Sequence, residues 1–280
     1  MDKNLGKLNN KRNLLVAMKF KEVLTKAVID IAINGFDSQS RIDRWMKALR
    51  NALIQEMQPD HVIKQKLDDA MGDIFKRLVT SPTAITKHKG VSKFTIDKVK
   101  PELRGELTRR IATSANLITL NREQMIERTM QRFQGWGSSI PNGGSDVVAK
   151  REVKANIAKP LASLPFEERR VMIDQGHKLT ANINAVVAEG GGAIAAIWHS
   201  RFRQANYNYR VDHKERDDKI YAIRGNWAME DGLMKVGVAG YTDQITMPAE
   251  EIYCRCSYEY IYSLRKLPKE MLTKKGLELI

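Results

Sequence analysis

The chain has 280 residues, with 47 Lys and Arg against 33 Asp and Glu, a formal net charge of +14. Its 42% hydrophobic content is enough for a packed core, which excludes wholesale disorder, and two cysteines are too few for a secreted disulfide scaffold. The longest apolar candidate, Leu14 to Ile33, is broken by Lys19, Lys21, Glu22, Lys26 and Asp30, so neither a membrane span nor a secretory signal is expected.

The first part of the chain has helical periodicity. Leu14, Leu15, Met18, Val23, Ala27, Val28 and Ile31 repeat at three- and four-residue spacing, and Gly35 offers a stop. Ser38 or Ser40 can cap the next helix, which carries Ile42, Trp45, Met46, Leu49 and Leu53. Pro59 and Asp60 open a third, from Val62 to Leu78, which Ser81-Pro82 ends. Pro101 then punctuates the chain, with helices predicted from about Glu102 to Leu117 and from Arg122 to Phe133. Gln134 to Ser145 holds four glycines and a proline and is predicted to be a loop, with Trp136 tucked back onto its own domain. Asp146 is a candidate cap for a helix stopped by Pro160. Pro165 opens another that ends at Gly190-Gly191-Gly192.

After Gly192 the texture changes. Ala193–Trp198, Tyr207–Val211, Tyr221–Ile223, Ile252–Cys256 and Tyr258–Tyr262 are rich in β-branched and aromatic residues or alternate, and are predicted to be short strands. Leu267 to Ile280 is a short helix or tail. The fold class is therefore α+β. The expected layout is a basic helical region over 1–133, a Gly-rich loop over 134–145 and connecting helices over 146–192. A compact C-terminal α+β domain follows over 193–265, with a tail over 266–280.

The charge is uneven. Residues 1–150 carry 27 basic and 16 acidic side chains, and residues 151–280 carry 20 and 17. Lys3, Lys7, Lys11, Arg12, Lys19, Lys21 and Lys26 are candidate DNA contacts, acting on phosphates alone because no base-reading motif is present. The competing reading is an ordinary solvated helix face.

The C-terminal part holds the only dense constellation of special residues: Trp198-His199-Ser200, then Arg210-Val211-Asp212-His213, then Pro248, then Cys254-Arg255-Cys256. Two thiols and two imidazoles, from His199, His213, Cys254 and Cys256, suit a tetrahedral zinc, although zinc sites usually space their cysteines Cys-x₂₋₄-Cys. The spacing favours the alternative of two buried thiols and a hydrogen-bonded histidine, with no cofactor. Arg255 is expected on the opposite face of the strand, available to a partner or to a carboxylate such as Glu251. A nucleophile pair of Cys254 or Cys256 with His213 has no third orienting group or oxyanion hole, and Asp217, Asp218, Glu250 and Glu251, which could bind a divalent ion, read as solvated acidic pairs, so no catalytic residue is assigned and no enzymatic activity is expected.

The order and spacing of Trp198, Arg210, His213, Pro248, Cys254, Arg255 and Cys256 resemble the phage Mu F-like minor head proteins, or head morphogenesis proteins. The helix Arg169 to Val187 is similar to the one preceding the Trp in that family. Asp174-Gln175-Gly176 stands where many relatives have Arg-Thr-Glu, and Asp217-Asp218-Lys219 stands where many have a Gly. The likeness covers about residues 165–260. It implies a structural virion protein made in the host cytoplasm and placed in the head or at the portal vertex of the capsid. Its partners would be the portal protein, other head proteins and, through phosphates, packaged DNA. Its role would be head morphogenesis, with a possible part in DNA packaging or ejection. Two alternatives are a nucleic-acid-processing or ADP-ribosyltransferase-like enzyme and a neck connector or internal ejection protein. No Arg…Ser-Thr-Ser…Glu-x-Glu series is present to carry the transferase.

Overall fold

The computed structural model describes residues 20–140, 142–143 and 150–280. Its elements in chain order are α1 (20–34), α2 (Gln39–Glu56), α3 (Asp60–Phe75) with a π turn over Lys76–Thr80, α4 (Ala84–Lys87), α5 (Lys93–Gly137) and α6 (Lys150–Gly190). Then come β1 (Ala195–His199), α7 (Val211–Glu215), β2 (Ile220–Ala222), α8 (Trp227–Glu230), β3 (Ser257–Ile261) and α9 (Lys274–Glu278). The α+β class holds: helices throughout the first two thirds, and one small antiparallel sheet near the C-terminus.

The chain forms two compact units. The first takes the described residues up to 64 together with 115–169, and the second takes 65–114 together with 170–280. The described part of 134–145 therefore lies within the first unit and the triple glycine within the second.

The first unit is built from amphipathic helices. Leu24, Val28 and Ile31 of α1, Ile42, Leu49 and Leu53 of α2, Ile126, Met130 and Phe133 of α5, and Ile157 of α6 share one buried cluster, each set following helical spacing. Gly35, at φ 72°, returns its N–H to the Ile31 carbonyl, the left-handed stop that a glycine supplies without strain. Asp30 ties α1 to α2 by accepting from Arg41 at 2.8 Å and from the Trp45 indole at 2.5 Å. Trp136 tucks back as expected, 6.1 Å from the Phe133 ring and packed on this cluster. The side chain of Arg122, 8% exposed, donates to Glu168 at 2.6 Å and to the Gln58 carbonyl at 2.7 Å.

Three proline-based boundaries are corrected. Pro101 lies inside α5, and Pro160 and Pro165 lie inside α6. A proline inside a helix removes one hydrogen bond and costs about 3 kcal/mol. Buried side chains on both sides of each cut outweigh that cost: Ile96 and Leu103 around Pro101, and Ile157 and Val171 around the other two. The true start of α5 is Ser92, whose Oγ accepts the Thr95 N–H. Residues 134–137 of the expected loop are the last turn of α5. Asp146 lies outside the described residues.

In the second unit, Glu106 of α5 accepts from Arg110, from Arg109 at 2.9 Å and from Asn182 of α6 at 2.8 Å. Burial alone would raise its carboxyl, but these donors hold it below its ordinary 4.5. The sign follows: a carboxyl lowered in the folded state contributes fully above the ordinary value, and that contribution is lost as pH falls through the folded value. Urea midpoints should therefore decline as the pH is lowered below about 4.5. Glu106→Gln should flatten that part of the profile, and an unchanged slope would contradict the assignment.

The sheet has the order β2-β1-β3, with β1 antiparallel to both neighbours. Its register divides the side chains by face. Ala195 stands opposite Ala222 and Ile261, and these sit in a core with Ile194, Leu233, Leu264, Leu267, Met271 and Leu272. The C-terminal tail residues are thus part of this core. Ala196 stands opposite Tyr221 and Tyr260, and Trp198 opposite Tyr258, so the aromatic residues share the other face. Two expected strands are not strands. Residues 207–210 are irregular and lead into α7, and 252–256 form a turn and an extended stretch before β3.

Candidate functional site

Trp198 on β1 is fully buried and fixes the aromatic face of the sheet. The His213 ring meets it edge-on with centroids 5.2 Å apart, Tyr258 of β3 does so at 5.5 Å, and the Arg216 guanidinium lies 5.1 Å from its ring centre. His213 sits in the single turn of α7, with Arg210 at the N-cap position. Arg210 and Arg216 flank this turn: Arg210 pairs with Glu251, and Arg216 reaches over the Trp198 ring.

Cys254 and Cys256 follow a backbone turn with two non-glycine residues in the left-handed region, Ala249 at φ 65° and Tyr253 at φ 61°. Such conformations persist only where surrounding contacts hold them. Those contacts are present. The Ala249 N–H donates to Cys254 Sγ at 3.3 Å, the Tyr253 N–H donates to Asp174 Oδ1 at 2.6 Å, and Arg170 lies 3.9 Å over the Tyr253 ring. Asp174 is therefore the buried carboxylate that anchors the cysteine turn.

The outcome is a compact cluster. His213 Nδ1 lies 3.6 Å from Cys254 Sγ and 3.6 Å from Cys256 Sγ. All three side chains are buried. Cys254 is pushed toward early ionisation, chiefly by a hydrogen bond from the Cys256 thiol and further by the Cys256 and Ala249 N–H groups. The same bond, with burial, pushes Cys256 the opposite way, so the pair holds its last proton tightly. On the far side of the imidazole, Nε2 faces Glu251 Oε1 at 3.3 Å. Glu251 also pairs with Arg210 and accepts from Thr246 Oγ1 at 3.3 Å, and Arg216 donates to Thr246 Oγ1 at 3.0 Å.

The chain matches no family model, no curated protein and no solved structure.

The cluster joins most of the sequence-predicted residues and separates others. Arg210 donates to the Ile252 carbonyl at 3.0 Å, and Pro248 lies beside Ala249 at the start of the cysteine turn. Glu251 pairs with Arg210 and His213 rather than with Arg255. Arg255 instead lies 5.3 Å from the Tyr207 ring. His199 is not with His213 and the cysteines. It faces Asp218 at 3.5 Å and Glu259 at 3.3 Å, in a separate group with Asp217. Asp217 and Asp218 clasp the end of β1. Asp217 accepts the Ser200 N–H at 2.6 Å, and the Asp218 N–H donates to the Trp198 carbonyl at 2.8 Å. Of the candidate DNA contacts, Lys21 and Lys26 are exposed on α1, and Lys3, Lys7, Lys11, Arg12 and Lys19 lie outside the described residues.

Sequence reasoning missed Asp174 and Arg216, and offered Glu251 as one candidate partner for Arg255 where the structure pairs it with Arg210. The spacing from Arg210 to Arg216 carries a signal for Arg216. Nothing local marks Asp174, whose partner is 79 residues away. A half-open cleft of about 740 Å³ adjoins the cluster at Cys256, lined among others by Asn184, Arg201, Arg203, Arg255 and Tyr258. The hydroxyl of Tyr258 and the indole N–H of Trp198 are buried without a hydrogen-bond partner.

Proposed function

We propose that the protein is a structural virion protein of the Mu F-like minor head class, acting in head assembly in association with the portal. One observation supports this reading above the others. The residues that carry the resemblance are spread from Trp198 to Cys256, yet Trp198, Arg210, His213, Cys254 and Cys256 meet around one buried imidazole or its Glu251 partner. A chance likeness in spacing has no reason to converge in space. A set of residues that builds one structural knot does.

The basic N-terminal half is consistent with a partner that presents phosphates or acidic side chains. On this reading the C-terminal module is a rigid interaction domain, and the helical part docks on the head or portal. The proposed location is the virion, with synthesis in the host cytoplasm.

Co-expression with a portal protein encoded in the same genome tests the proposal. The two proteins should elute together on gel filtration, and purified particles should contain the chain by mass spectrometry. Free elution from the portal, together with particles that lack the chain, would overturn the reading.

A further inference from the structure

We propose that His213 Nδ1, Cys254 Sγ and Cys256 Sγ bind one zinc ion, with Glu251 holding the imidazole from behind. The inference does not depend on the virion reading, because it rests on the geometry of four side chains.

The ligand atoms already stand near three corners of a coordination tetrahedron. Zinc binds thiolate at about 2.3 Å and imidazole nitrogen at about 2.0–2.1 Å, which sets tetrahedral N···S edges of about 3.6 Å. Both N···S distances are 3.6 Å, and all three ligand atoms lie within 4.8 Å of one another. With its proton on Nε2, directed at Glu251, the imidazole offers one lone pair to two sulfurs, so only one thiol can donate to it directly, and the other donates to its neighbouring sulfur. A cation at the centre would bind all three atoms at once.

The surroundings also suit a metal. Zinc-bound histidines commonly give their second nitrogen to a carboxylate, which fixes the ring and raises its basicity. Glu251 takes that place at 3.3 Å and is itself held by Arg210 and Thr246. The Ala249 N–H pointed at Cys254 favours the thiolate form. Trp198 walls one side of the site, edge-on to the His213 ring. Binding is balanced by the release of two thiol protons to solvent, with no redox change. Among the described residues no fourth His, Cys, Asp or Glu joins the group, so the fourth coordination position falls to water.

The test uses the full chain, purified in reducing buffer without chelator. Elemental analysis should give about one zinc per chain, falling about tenfold or more in Cys254→Ser and Cys256→Ser and unchanged in His199→Ala. Those cysteine variants risk misfolding, so two further measurements keep the test decisive. Wild-type chain produced with cobalt in place of zinc should show a thiolate-to-cobalt charge-transfer band in the near ultraviolet. Glu251→Gln keeps all three ligands, and it should weaken zinc about 10–100-fold in competition with a chromophoric chelator. A folded wild-type chain holding only traces of metal, with no thiolate–cobalt band, would overturn the proposal. Unchanged zinc affinity in Glu251→Gln would overturn the role given to Glu251.

Discussion

Trp198→Ala should destabilise the C-terminal part of the protein by about 3–5 kcal/mol, the usual range for deleting a fully buried large aromatic side chain. Trp198 is 0% exposed and sits between the His213 ring, the Tyr258 ring and the Arg216 guanidinium. Its removal leaves a cavity against the cysteine cluster as well as lost apolar contact. Urea unfolding followed by circular dichroism checks this. Trp198→Phe fills part of the space and should lose distinctly less. A loss below about 1 kcal/mol for the alanine variant would show that the site does not depend on its aromatic wall.

The second large effect belongs to the other unit. Arg122→Ala removes the guanidinium that bridges Glu168 and the Gln58 carbonyl. Breaking a fully buried ion pair from one side costs about 3–5 kcal/mol, because the remaining charge is left without a partner. Glu168 keeps a quarter of its side chain exposed, so the expected loss is smaller, about 2–3 kcal/mol. Arg122→Met combined with Glu168→Leu should recover part of it, since the pair is replaced by apolar groups of similar volume. A double-mutant cycle measures the coupling. Additive losses from the two single changes would mean that Arg122 does not act through its pair with Glu168.

The class of the fold was legible because its signals are local. Helical spacing in Leu24, Val28 and Ile31, and in Ile42, Leu49 and Leu53, marks the faces that become the first unit's core. Gly35 marks a stop in the same way. Proline was a poor guide. Its local cost is fixed, whereas the burial that offsets it at Pro101, Pro160 and Pro165 comes from residues distant in sequence. The stretch Ile252 to Cys256 has the composition of a strand. It is bent instead by Asp174, which holds the Tyr253 N–H and helps keep that residue left-handed.

The candidate site was legible in its members and not in its wiring. Cys254, Cys256 and His213 stand out as rare residue types at short spacing, and Trp198 and Arg210 through the family likeness. Whether His199 or His213 joins the cysteines depends on the register of β1 against β3, which spacing alone does not reveal. That register sets His199 opposite Ser257, while Trp198 stands opposite Tyr258 on the cluster's face.

Diffraction from crystals of the purified chain, with data collected on either side of the zinc absorption edge, addresses the metal centre most directly. The account predicts one anomalous peak bonded to Cys254 Sγ and Cys256 Sγ at about 2.3 Å and to His213 Nδ1 at about 2.0–2.1 Å. Glu251 should lie behind the imidazole at Nε2, and His199 should stand apart. An ordered His213, Cys254 and Cys256 with no anomalous density between them would contradict it.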